Sequence, residues 1–161
     1  MENYTKYKLK EIEELAPYLD GADKIFVLAC NKCFKEFESV DEPDCEEFVK
    51  LVESRGKTVT GSAKVDFLCN RVQTEKKLKD LIPEGTECVF VVSCGLGIQT
   101  IADMVKLPVY AASNSINYRG KHGMALTRKA CDACAQCYLN ITGGICPIVD
   151  CAKSLTNGQC G

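Results

Sequence analysis

The sequence predicts an α/β fold: a small parallel sheet with flanking helices, Rossmann-like, followed by a C-terminal cysteine-rich metal-binding segment. Three observations predict it. Strand-sized apolar runs such as "IFVLA" and "VFVV" alternate with amphipathic stretches of helical length, which is the pattern of βαβ units. Glycine and proline stand at the ends of those stretches, where helices stop. Twelve cysteines occur in 161 residues, six of them between Cys131 and Cys160, in a tail too short and too glycine-rich to own a hydrophobic core.

Taken in order, residues from about Tyr4 to Leu19 read as a charged amphipathic helix with Leu9, Ile12, Leu15, Ala16 and Leu19 on one side, ended by Asp20-Gly21. "KIFVLAC" is a buried strand finishing at Cys30. "DEPDCEEFVKLVESRG" is a helix with acidic residues at its start, Arg55 at its end and Gly56 as the stop. "KTVTGSAKV" is a second strand and "FLCN" the loop after it. "TEKKLKDLI" is a short helix stopped by Pro83 and Gly85, and "ECVFVVS" is the clearest strand, running into Cys94-Gly95. "GIQTIADMVK" is helical and "LPVYAAS" is a fourth strand. This places the sheet at about 22–115. With the helix in front, 1–115 is the α/β domain carrying a first metal centre. Residues 116–161 are a linker and a cysteine-rich second centre; the linker stretch, "NSINYRGKHGMALTRKA", lacks clear periodicity.

The net charge of −2 is nearly balanced and gives no case for nucleic acid or a membrane surface as partner. The apolar runs are too short to span a bilayer. The first residues are charged and lack the apolar segment of an export signal, so the expected location is cytoplasmic. Thiols stay reduced there, and a high cysteine count points to metal rather than to disulfides.

The cysteines sort by position. Cys45 shares a helical face with Phe48, Val49 and Val52, and Cys88 lies inside an apolar strand, so both read as small core residues. Cys30 ends the first strand and Cys33 lies just beyond it. Cys69 falls in the loop after the second strand, and Cys94 ends the third. In a parallel sheet these four points share the carboxyl edge, where open α/β folds bind ligands. Four thiols there meet the needs of a tetrahedral zinc or of a [4Fe–4S] cluster. Gly95 and Gly97 would let the backbone approach such a group and offer it their amides. In the tail, Cys131, Cys134 and Cys137 form CxxCxxC, the opening of a ferredoxin-type cluster motif, and Cys146-Pro147 echoes its close. The gap from Cys137 to Cys146 departs from that pattern. The fourth ligand comes from Cys146, Cys151 or Cys160, and sequence does not choose among them. The single histidine, His122, reads as a solvated loop residue. With thiolates dominant, hydrolytic zinc chemistry is disfavoured, and no catalytic residue set for an organic substrate stands in the chain.

"CDACAQCYL" followed by "TGGICPIVDCAKSLTNGQCG" closely resembles the signature of the methylenetetrahydrofolate reductase C-terminal domain family, and "ACNKC", "FLCN" and "SCGLGIQT" look like its other landmarks, in order. The resemblance runs from about Lys24 to Gly161, and it is to the small subunit of the two-subunit enzymes of acetogenic anaerobes. It implies two [4Fe–4S] clusters, with zinc as a further candidate: Cys30, Cys33, Cys69 and Cys94 would carry one centre and the tail cysteines the other. It implies a flavoprotein partner holding FMN or FAD and the folate, and ferredoxin or another low-potential donor. The activity implied is electron delivery for reduction of methylenetetrahydrofolate to methyltetrahydrofolate in the Wood–Ljungdahl pathway. The chain departs from relatives at Ala29, where a glycine is frequent, and around Cys69. A basic excess of five Lys and Arg over two Asp and Glu in residues 116–161 would suit an acidic donor. A zinc-bound structural subunit and a zinc–thiolate methyl-transfer accessory protein are the rival readings.

Overall fold

The computed structural model describes residues 5–31, 45–78, 80–118, 130–153 and 159. Cys33, Cys160 and His122 lie outside the described residues, as do Asp41, Glu42 and Asp44 of the stretch expected to open the second helix, while Glu46 and Glu47 stand in its first turn.

The elements follow in the order β1 (Thr5–Leu9), α1 (Ile12–Asp20), β2 (Lys24–Cys30), α2 (Cys45–Ser54), β3 (Thr58–Val65), α3 (Arg71–Leu78), β4 (Cys88–Val92), α4 (Gly95–Met104), β5 (Val109–Ala111) and β6 (Ser113–Tyr118). Four strands make a sheet in the order β3-β2-β4-β5, and every pairing in it is parallel. The expected α/β fold is therefore present. Its strands alternate cleanly in what they bury, as a pleat with period two requires. Ile25, Val27, Ala29, Cys88, Phe90 and Val92 face one core with Leu15, Leu19, Phe48 and Val52 from α1 and α2. Phe26, Leu28, Val89 and Val91 face the other core with Ile98 and Ile101 from α4. Both faces are covered at the centre of the sheet, which is why β2 and β4 read as continuous apolar runs. Cys45 and Cys88 are 3% and 1% exposed, the core positions their apolar surroundings predict. At the end of α2, Gly56 takes φ +73° and its N–H bonds the Glu53 carbonyl, a left-handed stop that glycine adopts without steric cost.

The chain steps from β2 outward to β3, then returns to the other side of β2 for β4 and β5. The strand order thus reverses between β2 and β4, and the crevice beyond the carboxyl ends of those two strands is the place where doubly wound sheets take ligands. The ladder is level there, pairing Cys30 with Val65 and Ala29 with Val92. Among the described residues, no helix is long and apolar enough to cross a membrane.

Two expectations fail at the ends of this domain. The single helix read over Tyr4–Leu19 is a strand, β1, followed by α1. "TKYKL" alternates, with Tyr7 4% exposed between outward lysines, and Thr and Tyr fit a pleated surface better than a helix. Its partner is β6, antiparallel, running from Thr5 opposite Tyr118 to Leu9 opposite Ser113. The stretch from Asn114 to Tyr118, read as part of a linker without periodicity, is that partner strand. Neither segment is apolar enough to announce itself, and each needs the other, over a hundred residues away, to satisfy its backbone.

Candidate metal centre

The carboxyl edge of the sheet collects three of the expected thiols. Cys30 is the last residue of β2. Cys69 follows β3 by way of a turn in which Phe67 takes φ +53°. Cys94 is the N-cap residue of α4, directly after β4. The edge is closed from above by β1, whose Tyr7 hydroxyl donates to the Cys30 carbonyl at 3.0 Å. Asn31 fixes the next step of the chain, its N–H bonding the Val65 carbonyl and its side chain the Asp66 carboxylate. Burial pushes the Cys69 thiol up to about 11, with Cys30 the next cause. Burial also pushes Cys94 well above the ordinary thiol range, followed in size by Cys30; Cys131 and Cys69 add to it, while the Gly97 backbone N–H opposes.

Cys131 therefore belongs to this neighbourhood as well as to the tail. Its Sγ lies 2.9 Å from where a Cβ on Gly95 would stand, so only glycine at position 95 lets the tail sulfur settle onto the first turn of α4. The two glycines differ in what their backbone meets: the Gly97 N–H reaches the Cys94 thiol. The Gly95 N–H donates to Ser115 Oγ at 2.8 Å, and Gly97 makes room for Ser93 and Leu68.

The tail is built from alternation of another kind. Between the cysteines of CxxCxxC, Ala133 and Ala135 take φ of +50° and +60°. Left-handed alanines cost about 1–2 kcal/mol each and persist where surrounding structure over-determines them. Here the determinants are polar residues of β6 that sequence reading passed over. The Ala135 N–H bonds the Ser115 carbonyl at 2.9 Å, and the Cys137 N–H bonds Asn114 Oδ1 at 2.8 Å. Gln99 donates from its amide to the Gly95 carbonyl and, at 2.7 Å, to the Ala130 carbonyl just ahead of Cys131. Farther on, Leu139 is 2% exposed and joins the core on the α4 side of the sheet, while Asn140 pairs with the backbone of Ala111. The tail was expected to depend on metal for want of a core. These bonds and the buried Leu139 attach part of it to the sheet domain. Ser113-Asn114-Ser115 are all polar, so no local apolar pattern marks them as the seat of the tail.

Cys131, Cys134, Cys137 and Cys146 share the wall of one small cavity with Gly95 and Gln99. Cys134 is exposed and Cys151 half-buried. Burial pushes the Cys137 thiol up to about 11, opposed by the Leu139 backbone N–H and the Lys10 ammonium, and reinforced by Cys131 and Cys134. A roomier cavity of about 340 Å³ lies elsewhere, between α3 and the end of α4. It contains no thiol, and its Arg71 and Asp103 are already paired with each other at 3.0 Å.

This donor set suits a metal–sulfur group in its chemistry. Dry thiols with raised pKa values are poor nucleophiles, and holding them as thiolates takes strong positive charge close by, which metal ions supply. Among the described residues, two buried side-chain atoms, Ser93 Oγ and Gln99 Oε1, have no hydrogen-bond partner, and Gln99 lines the cavity of the tail thiols. Among the described residues no three His, Cys, Asp or Glu side chains converge as one metal ion requires.

No curated protein matches the chain, and no solved structure does. Residues 110–161, which hold the end of β5, β6 and the whole tail, match the family described as methylene-tetrahydrofolate reductase C terminal, so the last third of this chain is similar to a segment of that oxidoreductase family.

Proposed function

We propose that this chain is the iron–sulfur electron-transfer subunit of a methylenetetrahydrofolate reductase. It takes electrons one at a time from a low-potential donor, ferredoxin being the expected one. It passes them to the flavin, FMN or FAD, of a flavoprotein partner that reduces methylenetetrahydrofolate to methyltetrahydrofolate, in the cytoplasm and in the Wood–Ljungdahl pathway. No residue of this chain is assigned to catalysis on the folate.

The observation that carries the reading is the gathering of Cys30, Cys69, Cys94 and Cys131 at the switch point of the sheet, beside Cys134, Cys137 and Cys146. These residues come from four separated parts of the sequence, and the family match covers the part that supplies the tail. Two [4Fe–4S] clusters would be held by Cys30, Cys33, Cys69 and Cys94 on one side and by the tail thiols, Cys151 and Cys160 among them, on the other, with Cys131 between. Such clusters supply one-electron steps at potentials tuned by charge, hydrogen bonds and burial. The chain's own residues do the tuning and the holding. Cys94 is buried and Cys69 half-buried at the edge, Ser115 and Asn114 orient the tail backbone, and Gln99 fixes the entry to Cys131. Spread thiols of this kind favour a group of several metal atoms over one zinc, which needs four donors about 2.0–2.3 Å from a single point.

Anaerobically purified protein is expected to be brown, to contain acid-labile sulfide and to bleach with dithionite. Its colour should return when the oxidised flavoprotein partner is mixed in. A colourless protein with stoichiometric zinc and no sulfide would overturn the proposal in favour of a structural zinc subunit.

A further inference from the structure

The segment read as the start of a helix delivers a buried cation to the tail. Lys10 follows β1, and its N–H continues the strand pairing by bonding the Ala112 carbonyl at 2.9 Å. Its side chain is 0% exposed. The ammonium donates to the Cys137 carbonyl at 3.1 Å and to the carboxylate of Glu14, in the first turn of α1. An ammonium is costly to bury unless it is paired and hydrogen-bonded, and both conditions are met. The pair is lopsided, since the Glu14 side chain is 45% exposed. Water screens the carboxylate while the cation faces the interior. The carboxylates on the tail itself, Asp132 and Asp150, are exposed.

We propose that Lys10 sets the reduction potential of the tail centre, its interior ammonium stabilising the extra negative charge that arrives with an electron. This deepens the electron-transfer reading and rests on it. One electron enters the centre from the low-potential donor protein and leaves to the partner's flavin; no bond or proton at Lys10 changes. The carbonyl of Cys137 anchors the ammonium at a fixed place beside a thiol ligand, which makes Lys10 a positioning residue acting through charge.

The test is a potentiometric titration, followed by electron paramagnetic resonance, of the anaerobically purified full chain and its variants. Iron and sulfide are measured in each sample, and the tail signal is identified as the one lost in Cys137→Ser. Lys10→Met is expected to move that signal to a more negative potential, Lys10→Arg to leave it nearly in place, and Glu14→Gln to move it to a more positive one. Opposite shifts from the two members of one pair are not what a purely structural tie produces. Loaded Lys10→Met and Glu14→Gln proteins with unshifted potentials, or shifts of the same sign, would overturn the proposal while leaving the clusters in place. If Lys10→Met does not fold, the sign of the shift in Glu14→Gln, whose side chain reaches solvent, decides alone. A wild-type protein without sulfide would remove the electron-transfer reading itself.

Discussion

Cys88 and Cys94 stand at the start of β4 and just beyond its end, both buried, and their surroundings give them different uses. Cys94 has Cys30, Cys69 and Cys131 for company; Cys88 has only the core and the charges of Glu87 and Lys57 at the surface. Burial, with Glu87 adding and Lys57 opposing, pushes the Cys88 thiol from the ordinary 9.0 up to about 12. The folded chain therefore keeps this proton at pH values where the unfolded chain has lost it. The stability this confers is complete below pH 9 and is lost as the pH climbs toward 12. Denaturant unfolding of Cys88→Ala across pH 9–12 is expected to lose stability less steeply than the wild type. Parallel slopes would show that Cys88 ionises alike in both states. Cys45 and Cys88 were legible as core residues in sequence because each sits among apolar residues with the period of its own element. The role of Lys10 was not, since its burial depends on a carbonyl 127 residues away.

At the scale of elements, legibility followed locality. The strands β2, β4 and β5 announce themselves because each is largely apolar over its own length; β3, "TVTGSAKV", is marked instead by its β-branched residues. The pair β1–β6 is invisible to any local window. "TKYKL" offers Leu9 to a helical pattern that continues through Ile12 and Leu15, and only the distant "SNSINY" makes the strand conformation the better one. The seating of the tail follows from the same pair, because the residues that bind the tail backbone, Asn114 and Ser115, are on β6. Leu139 is the apolar part of that seat. Leu139→Ala is expected to lower unfolding stability by about 2–5 kcal/mol, the usual cost of emptying a filled core site, measured by urea titration of the anaerobic protein. A change below about 0.5 kcal/mol, the range of ordinary surface substitutions, would show that the tail does not depend on the core.

For the whole molecule, topology decides where chemistry can be placed. A sheet ordered β3-β2-β4-β5 has one crevice where connections depart in opposite directions, and Cys30 and Cys94 end the two strands that flank it. The carboxyl-edge placement of Cys30, Cys69 and Cys94 was readable from strand ends alone. That the tail folds back onto the same edge, with Cys131 over Gly95, was not, because no periodicity encodes the return path. The two thiol groups thus adjoin each other.

The most direct test of the central claim is acid-labile sulfide per protein in anaerobically purified wild type, Cys94→Ser and Cys137→Ser. Each substitution is expected to remove about half of the sulfide, one four-iron centre of two. Sulfide unchanged in both variants, or absent from the wild type, would contradict the account.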